Sequence, residues 1–206
     1  DVPGPSDPLE HLRIVELELA LADLETVESR LPRLQKSSKL DKSVLEEVAA
    51  LEVALTSLSE GIPLYRAGLS ADIRLALAPH FLLTNRRVLA VVNVGENELD
   101  KIPEAEAIVR AELAPPGSAS AAEVEVLGMS VQLEAEAAQL DEADRAEMLG
   151  ELGLGEGALP RMVRSAYHLL GLRTFITTGE KETRAWTFNA GGKAPECAGK
   201  IHSDLQ

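Results

Sequence analysis

The sequence predicts an α/β chain in three parts: a helical hairpin, a segment built on a buried strand, and a small β-rich end. Three observations carry this reading. Leucines and valines recur at helical spacing across residues 9–62, on either side of a short polar turn. Residues 88–92 form an unbroken apolar run that closes on Asn93. From Leu172 onward the period becomes that of strands, with Phe175, Trp186 and Phe188 set among threonines.

The first helix opens at Asp7-Pro8-Leu9-Glu10. Asp7 is placed to cap free amides, Pro8 suits the first helical position, and Glu10 stands where a capping box wants an acid. Ile14, Leu17, Leu21, Leu24 and Leu31 then trace an apolar seam, interrupted at Glu28, and Pro32 is expected to kink or end the helix near Leu31. Lys36-Ser37-Ser38-Lys39 reads as the turn. Ser43 with Glu46 makes a second capping box, and Val44, Val48, Leu51, Leu55, Leu58 and Ile62 supply the facing seam up to Gly61 and Pro63. Two such helices make an antiparallel hairpin. It either packs on the body of the protein or offers its tip to a large partner.

An amphipathic stretch at residues 71–81 precedes the buried strand, whose run suits a strand covered on both faces in a parallel sheet. The strand runs out into Asn93-Val94-Gly95-Glu96. Ligands of open α/β sheets bind beyond the carboxyl ends of strands, where Asn93 and Glu96 would lie. An asparagine there can pin the loops around a nucleobase while a carboxylate reads its edge. Asn-x-x-Glu is also the content of many plain turns, so the strand before it is what lends it weight. A helix over 103–113, a linker over 114–122 and a second strand over 123–129 ending at Ser130 follow. Further helices are expected at 141–152, opened by Asp141, and at 157–170, closed by Gly171. Met162, Val163, Ala166, Tyr167 and Leu170 give the second of these an apolar face.

The β-rich end reads as a hairpin, residues 173–178 and 183–188 around Gly179-Glu180-Lys181-Glu182. Gly191-Gly192 marks a turn, and residues 194–202 a short helical turn leading to another strand. Lys181, Arg184, Lys193 and Lys200 lie near Trp186, a set that suits RNA contact as well as it suits a core tryptophan among solvated charges.

Composition bounds the function. The chain has 206 residues, 45% apolar and 26% charged, enough for a buried core and too apolar for wholesale disorder. A net charge of −14 opposes general nucleic-acid binding by the whole surface. Residues 171–206 differ, with 5 Lys/Arg against 4 Asp/Glu. The lone Cys197 cannot form an internal disulfide, and no apolar run reaches the roughly 18 residues of a membrane span, so a cytoplasmic protein is expected. The 206 residues hold no Gly-x-x-x-x-Gly-Lys-Ser/Thr loop, no zinc spacing among one cysteine and four histidines, and no Gly-x-Ser-x-Gly. No catalytic or metal-ligating residue is therefore singled out.

Several segments, in order, resemble the YchF family of Obg-like ATPases, a branch of the TRAFAC P-loop NTPases. Asp7-Pro8 with Glu18-Leu19-Ala20-Leu21-Ala22-Asp23-Leu24-Glu25-Thr26-Val27-Glu28 resembles the entry to its inserted coiled-coil domain. Leu82-Leu83-Thr84 and Val91-Val92-Asn93-Val94-Gly95-Glu96 resemble its divergent base-recognition motif. Leu133-Glu134-Ala135-Glu136, Leu140-Asp141 and Leu152-Gly153-Leu154 resemble the run that closes its G domain. Thr177-Thr178-Gly179-Glu180-Lys181-Glu182-Thr183-Arg184-Ala185-Trp186-Thr187, then Ala194-Pro195, Ala198-Gly199 and Ile201-His202-Ser203-Asp204, resemble the start of its TGS domain, a β-grasp.

The resemblance implies a domain order: 1–8 as the tail of a preceding G-domain segment, 9–70 the coiled-coil hairpin, 71–170 the later G domain, and 171–206 the start of TGS. It implies a nucleoside triphosphatase that prefers ATP over GTP, works with Mg²⁺ and associates with the ribosome, as a monomer without membrane contact. Asn93, Val94 and Glu96 are implied to contact the base, with Met129 and Ser130 on the neighbouring loop. Usual GTPases carry Asn-Lys-x-Asp, whose Asp grips guanine; Val94 and the longer Glu96 replace that pair, which fits adenine. Met129-Ser130-Val131-Gln132 departs from the family's Ser-Ala-Lys-like loop, and a fragment without the P-loop and the end of TGS is expected. For the fragment itself the other reading is a non-enzymatic adaptor that binds a ribosome or protein through the hairpin and the β piece.

Overall fold

The computed structural model describes residues 7–39, 41–118, 121 and 123–202. The expectations for residues 1–6, for part of the 114–122 linker and for Ser203-Asp204 lie outside them. Contacts divide the chain into two compact units, one within Asp1–Val94 and Glu98–Gly128, the other within Gly95–Asn97 and Met129–Gln206.

In the first unit, helix α1 (Pro8–Ser37) opens as expected, with Asp7 accepting from the Leu9 amide and Pro8 in the first turn. Helix α2 (Leu45–Ser59) returns against it. Gln35 donates to Glu52 near one end, and Gly61 lies by Leu17 near the other, so the pair is antiparallel. The capping box expected at Ser43 is not formed. Instead Asp41 accepts from the Ser43 amide, at 2.8 Å, and opens a 3₁₀ turn over Lys42–Val44 that leads into α2.

Two further expectations about α1 fail for physical reasons. The helix runs through Pro32, because Leu31 on one side is buried and Leu34 on the other packs on the same core, which offsets the lost hydrogen bond. The seam is also rotated. Ile14, Leu17 and Leu21 are about half exposed, while the buried face is Glu16, Ala20, Asp23, Val27 and Leu31. Two carboxylates therefore sit where leucines were expected, and each is satisfied. Asp23 accepts from the Leu83 amide (2.7 Å), the Thr84 amide (2.7 Å) and the Thr84 hydroxyl (2.6 Å). Glu16 accepts from the Tyr65 hydroxyl and from Arg66 Nη1, while Arg66 Nη2 reaches the Glu112 carbonyl at 3.0 Å. Burial, then the bond to Glu16, pushes the Tyr65 phenol well above its ordinary range, so it stays a donor.

Helix α3 (Ala71–Leu77), capped by Ser70, and a 3₁₀ turn over Ala78–His80 pack Leu77 and Leu82 into the hairpin core. His80 is buried with Nδ1 3.1 Å from Arg30 Nη1. Its Nε2 is 2.9 Å from Glu47 Oε1. Strand β1 (Val88–Asn93) leads through a 3₁₀ stretch over Glu96–Lys101 to helix α4 (Ile102–Leu113) and strand β2 (Val124–Met129). Val88 N donates to Glu123 O at 2.8 Å, so the paired strands start side by side and run the same way. Val92, Val124 and Val126 join Tyr65, Val109 and Leu113 in a second core. Full cover of β1 on both faces is not found, since only β2 pairs with it and Val91 is 42% exposed among the described residues.

The second unit holds α5 (Val131–Ala137), α6 (Glu142–Glu151), α7 (Ala158–Leu169), β3 (Leu172–Thr178), β4 (Thr183–Asn189) and α8 (Ala194–Ile201). Asp141 caps α6 through the Ala143 and Asp144 amides. Strands β3 and β4 are antiparallel, pairing Phe175 with Trp186 and Thr178 with Thr183. Trp186 is half-buried rather than core: its indole N–H donates to Thr177 Oγ1 at 2.9 Å and Arg184 stacks 4.6 Å from the ring centre. The apolar face expected on α7 is not buried either. Met162, Val163, Tyr167 and Leu170 are exposed, because α7 meets a two-stranded sheet too narrow to cover it, and Ala158 and Leu169 are buried instead.

Removing the Asp23 carboxylate orphans two amides and a hydroxyl at once. Asp23→Ala is expected to lower the unfolding free energy by about 3 kcal/mol or more in urea titration. His80 supplies a pH signature. Burial, aided by Arg30 and opposed by Glu47, pushes its imidazolium below the ordinary value. The unfolded chain then binds the proton more readily, so stability from His80 is full above about pH 6.5 and is lost as pH falls through the folded value. A His80→Gln variant is expected to show a shallower fall in urea midpoint between about pH 7.5 and 5.5 than the parent. Parallel curves would remove His80 from the account.

Candidate functional site

Both strands of the first unit's sheet aim their carboxyl ends the same way, and the site residues lie at and beyond those ends. The β1 run is held in place from below. Asp23 fixes Leu83 and Thr84, four residues before the strand begins at Val88, and Arg87 pairs with Glu123 at 3.4 Å where the two strands start. Asn93 closes β1 with an exposed side chain, and Val94 beyond it is half-buried. Both belong to the first unit.

At the end of β2, Gly128 meets α4 very closely. Its amide donates to Glu106 Oε1 at 2.7 Å, and a Cβ there would lie 2.8 Å from Ile102 Cγ2. Helix α4 thus sets the position of the chain just before Met129 and Ser130. Those two residues are buried, at 9% and 3% exposure, and Ser130 stands at the cap position of α5 without its hydroxyl bonding the helix. Glu96 is exposed and opens the 3₁₀ stretch. The second unit brings the Gly95–Asn97 segment together with Met129 and Ser130, although residues 98–128 separate them in sequence.

In the first unit Asn93 presents an exposed amide and Val94 a half-buried apolar side chain; in the second Glu96 presents an exposed carboxylate, and Met129 and the Ser130 hydroxyl are buried. Among the described residues no group of three or more His, Cys, Asp or Glu could hold a metal ion. The 206 residues hold no glycine-rich lysine loop of the kind that cradles phosphates.

Three supporting residues had no readable signal. Glu106 serves the Gly128 amide, Glu134 Oε1 accepts from the Ala158 amide at 2.6 Å at the start of α7, and Asp23 holds Leu83 and Thr84. All are acids in a chain with 34 of them, and their partners lie more than 20 positions away.

Comparison with known proteins decides the family. The ribosome-binding ATPase YchF of Escherichia coli O157:H7 is 38% identical over 206 residues, covering 100% of this chain and 55% of its own length. The ribosome-binding ATPase YchF of Bacillus subtilis (strain 168) is 35% identical over the same span and coverage. The chain belongs to the YchF family. A YchF-GTPase_C profile, described as a protein of unknown function (DUF933), matches residues 172–206. The solved structure of the Schizosaccharomyces pombe YchF GTPase superposes with a TM-score of 0.77 at 30% identity, over 99% of this chain and 55% of that one. This YchF-family chain is thus a mixed α/β protein that spans about half the length of the curated relatives it matches, 55%. Among its described residues no helix is long and apolar enough to cross a membrane.

Gly128 supplies a direct test of how the site is positioned. Gly128→Ala is expected to cost about 1–3 kcal/mol, since buried Ile102 is β-branched and cannot swing aside. Removing the obstacle as well, in Gly128→Ala with Ile102→Ala, is expected to cost less in urea denaturation than the sum of the two single changes.

Proposed function

We propose that this chain is the base-recognising and hairpin-bearing portion of a nucleoside triphosphatase that works on the ribosome. The observation that carries the proposal is identity along the whole chain with proteins named ribosome-binding ATPases. In this reading residues 9–70 are the inserted coiled-coil domain, 71–170 the later part of a P-loop G domain, and 171–206 the start of a TGS β-grasp. Asn93, Val94, Glu96, Met129 and Ser130 contact the base. The phosphates and Mg²⁺ are held by a P-loop outside these 206 residues, and the protein acts in the cytoplasm as a monomer.

Base preference follows from chemistry at two positions. A guanine-reading loop needs a short, fixed carboxylate facing the base's two adjacent N–H donors. Glu96 has an extra methylene, and Val94 lacks the long aliphatic stem and the ammonium of a lysine. The corner thus loses the guanine grip and favours ATP. One named relative is called an ATPase and another a GTPase, so preference is what to measure. In the TGS portion, the Arg184 guanidinium already covers one face of Trp186, so RNA contact there would run through Lys181, Arg184, Lys193 and Lys200 rather than base stacking.

The chain should be joined to the P-loop-bearing portion its relatives carry, and ATP and GTP affinities measured by calorimetry. Asn93→Ala is expected to weaken ATP binding roughly tenfold, a loss of about 1.4 kcal/mol. Glu96→Asp is expected to shift the ATP:GTP ratio toward GTP. Unchanged ratios and affinities in both variants would sink the site assignment. An adaptor reading is favoured by one fact, the lack of a phosphate cradle in the chain. It would be supported if ATP left ribosome pull-down by the joined protein unchanged.

A further inference from the structure

The segment around α3 carries groups that nothing in the first unit satisfies. Between Gly61 and Gly95 the chain has four arginines against one acid, Asp72, in a protein whose net charge is −14. Two of the four are engaged, Arg66 by Glu16 and Arg87 by Glu123. The acids that reach this segment from the hairpin are engaged as well. Asp23 holds Leu83 and Thr84, and Glu47 lies against His80. Asp72 is exposed in the first turn of α3, where an acid offsets the helix dipole. Arg74 and Arg86 are left, and among the described residues neither forms an ion pair.

Both arginines line a cleft of about 110 Å³, together with buried Leu77 and Leu82 and with Phe81 and Asn85. Asn85 Nδ2 donates to the Arg74 carbonyl at 3.1 Å, which fixes the orientation of the amide. Its Oδ1 is buried and accepts from no group among the described residues. A buried carbonyl without a donor is rare, because it gives up its hydration for nothing. Phe81 is the second anomaly. Its φ is 56°, the one positive value among the described non-glycine residues, and a bulky side chain seldom takes that conformation. Its side chain is 72% exposed, and Leu75 and Leu83 in the same segment are exposed at 74% and 53%.

We propose that this cleft docks a segment of a partner protein that presents one leucine-sized apolar side chain next to carboxylates. Size argues against a small-molecule ligand, whose sites run to about 300–1,000 Å³. A cavity of about 150 Å³ holds a benzene ring, so the volume here suits a single side chain. A peptide supplies a partner for each unfilled group. A backbone N–H completes Asn85 Oδ1, an aspartate or glutamate meets the Arg74 and Arg86 guanidiniums, and the apolar side chain covers Leu77 and Leu82. Phe81 adds the rigid aromatic wall that interface centres favour. The net charge of the chain disfavours a phosphate backbone in the same place. The inference stands apart from the nucleotide and ribosome readings, since these residues precede β1 and the proposed base contacts lie beyond its end.

The test begins with selection of a displayed library of random peptides on the chain joined to the P-loop-bearing portion its relatives carry. Enriched peptides are expected to combine Asp or Glu with Leu, Ile or Met, and one of them is synthesised with a fluorescein label and titrated. Arg86→Glu is expected to weaken its binding at least about tenfold, and a peptide with lysine in place of the acids is expected to bind that variant better than the parent. Phe81→Asn removes the ring but keeps a residue at ease with positive φ, and is expected to weaken binding about threefold or more. No enrichment, or enrichment without an excess of acids, would overturn the inference. So would unchanged affinity in Arg86→Glu. If that variant lost the parent's far-UV spectrum, Phe81→Asn would decide, unchanged affinity there counting against the cleft. Displacement of the peptide by oligouridylate would assign the cleft to RNA instead. Enrichment on the 206-residue chain that is absent from the joined protein would assign it to the joined portion, and either result overturns the proposal.

Discussion

A carboxylate inside a protein survives only where its lone pairs are filled, and Asp23 is the place where that constraint organises this chain. Its three bonds go to two consecutive amides and one hydroxyl at Leu83 and Thr84, on the approach to β1. Seven residues earlier on the same helix face, Glu16 takes Tyr65 and Arg66, and Arg66 passes the connection to the carbonyl of Glu112 at the end of α4. One face of one helix thus grips the chain ahead of each strand of the parallel pair. Replacing such groups by apolar ones of equal shape is often neutral in stability. Their effect is on register: sliding α1 by one turn would leave both carboxylates facing partners that are not there.

Where local pattern suffices, the fold is legible in the sequence. The cap at Asp7, the return helix through Val48, Leu51 and Leu58, the apolar strand closing on Asn93 and the 172–189 hairpin are all functions of neighbours within a few positions. Where long-range pairing decides, the pattern misleads. Glu16 and Asp23 are read as solvent-facing because their donors lie about fifty and sixty positions on, and the exposed Ile14, Leu17 and Leu21 look more like a seam than the buried row does. Pro32 fails the same way, since propensity describes an isolated helix and not one held by Leu31 and Leu34.

The residues proposed to contact the base divide along the same line. Strand period marks where a strand ends, so Asn93 and Met129 could be placed by inspection. Nothing local ties residue 96 to residue 130, and the grouping of Gly95–Asn97 with Met129 and the residues after it is a property of the fold alone. Gly128 gives the reason a precise end is needed. With Ile102 Cγ2 at 2.8 Å from where a Cβ would stand, β2 has no freedom to creep along α4, and the residues after it start from a fixed point.

The buried carboxylates of α1 also govern where its outer end lies. Thirty helical residues span about 45 Å, so a tilt of about 10° at the base would carry the tip through roughly 8 Å. A helix that reaches so far holds its outer end in place only if that tilt is suppressed. One anchor would leave the helix free to pivot; Glu16 and Asp23, two turns apart and bonded to different segments, remove the pivot. The His80 contact with Arg30, about two turns beyond Asp23, adds a third point closer to the tip. Burial, with Arg30 beside it, holds the His80 imidazolium below its ordinary value, which keeps Nδ1 free to accept from Arg30; a proton there would turn that acceptor into a second cation beside the guanidinium.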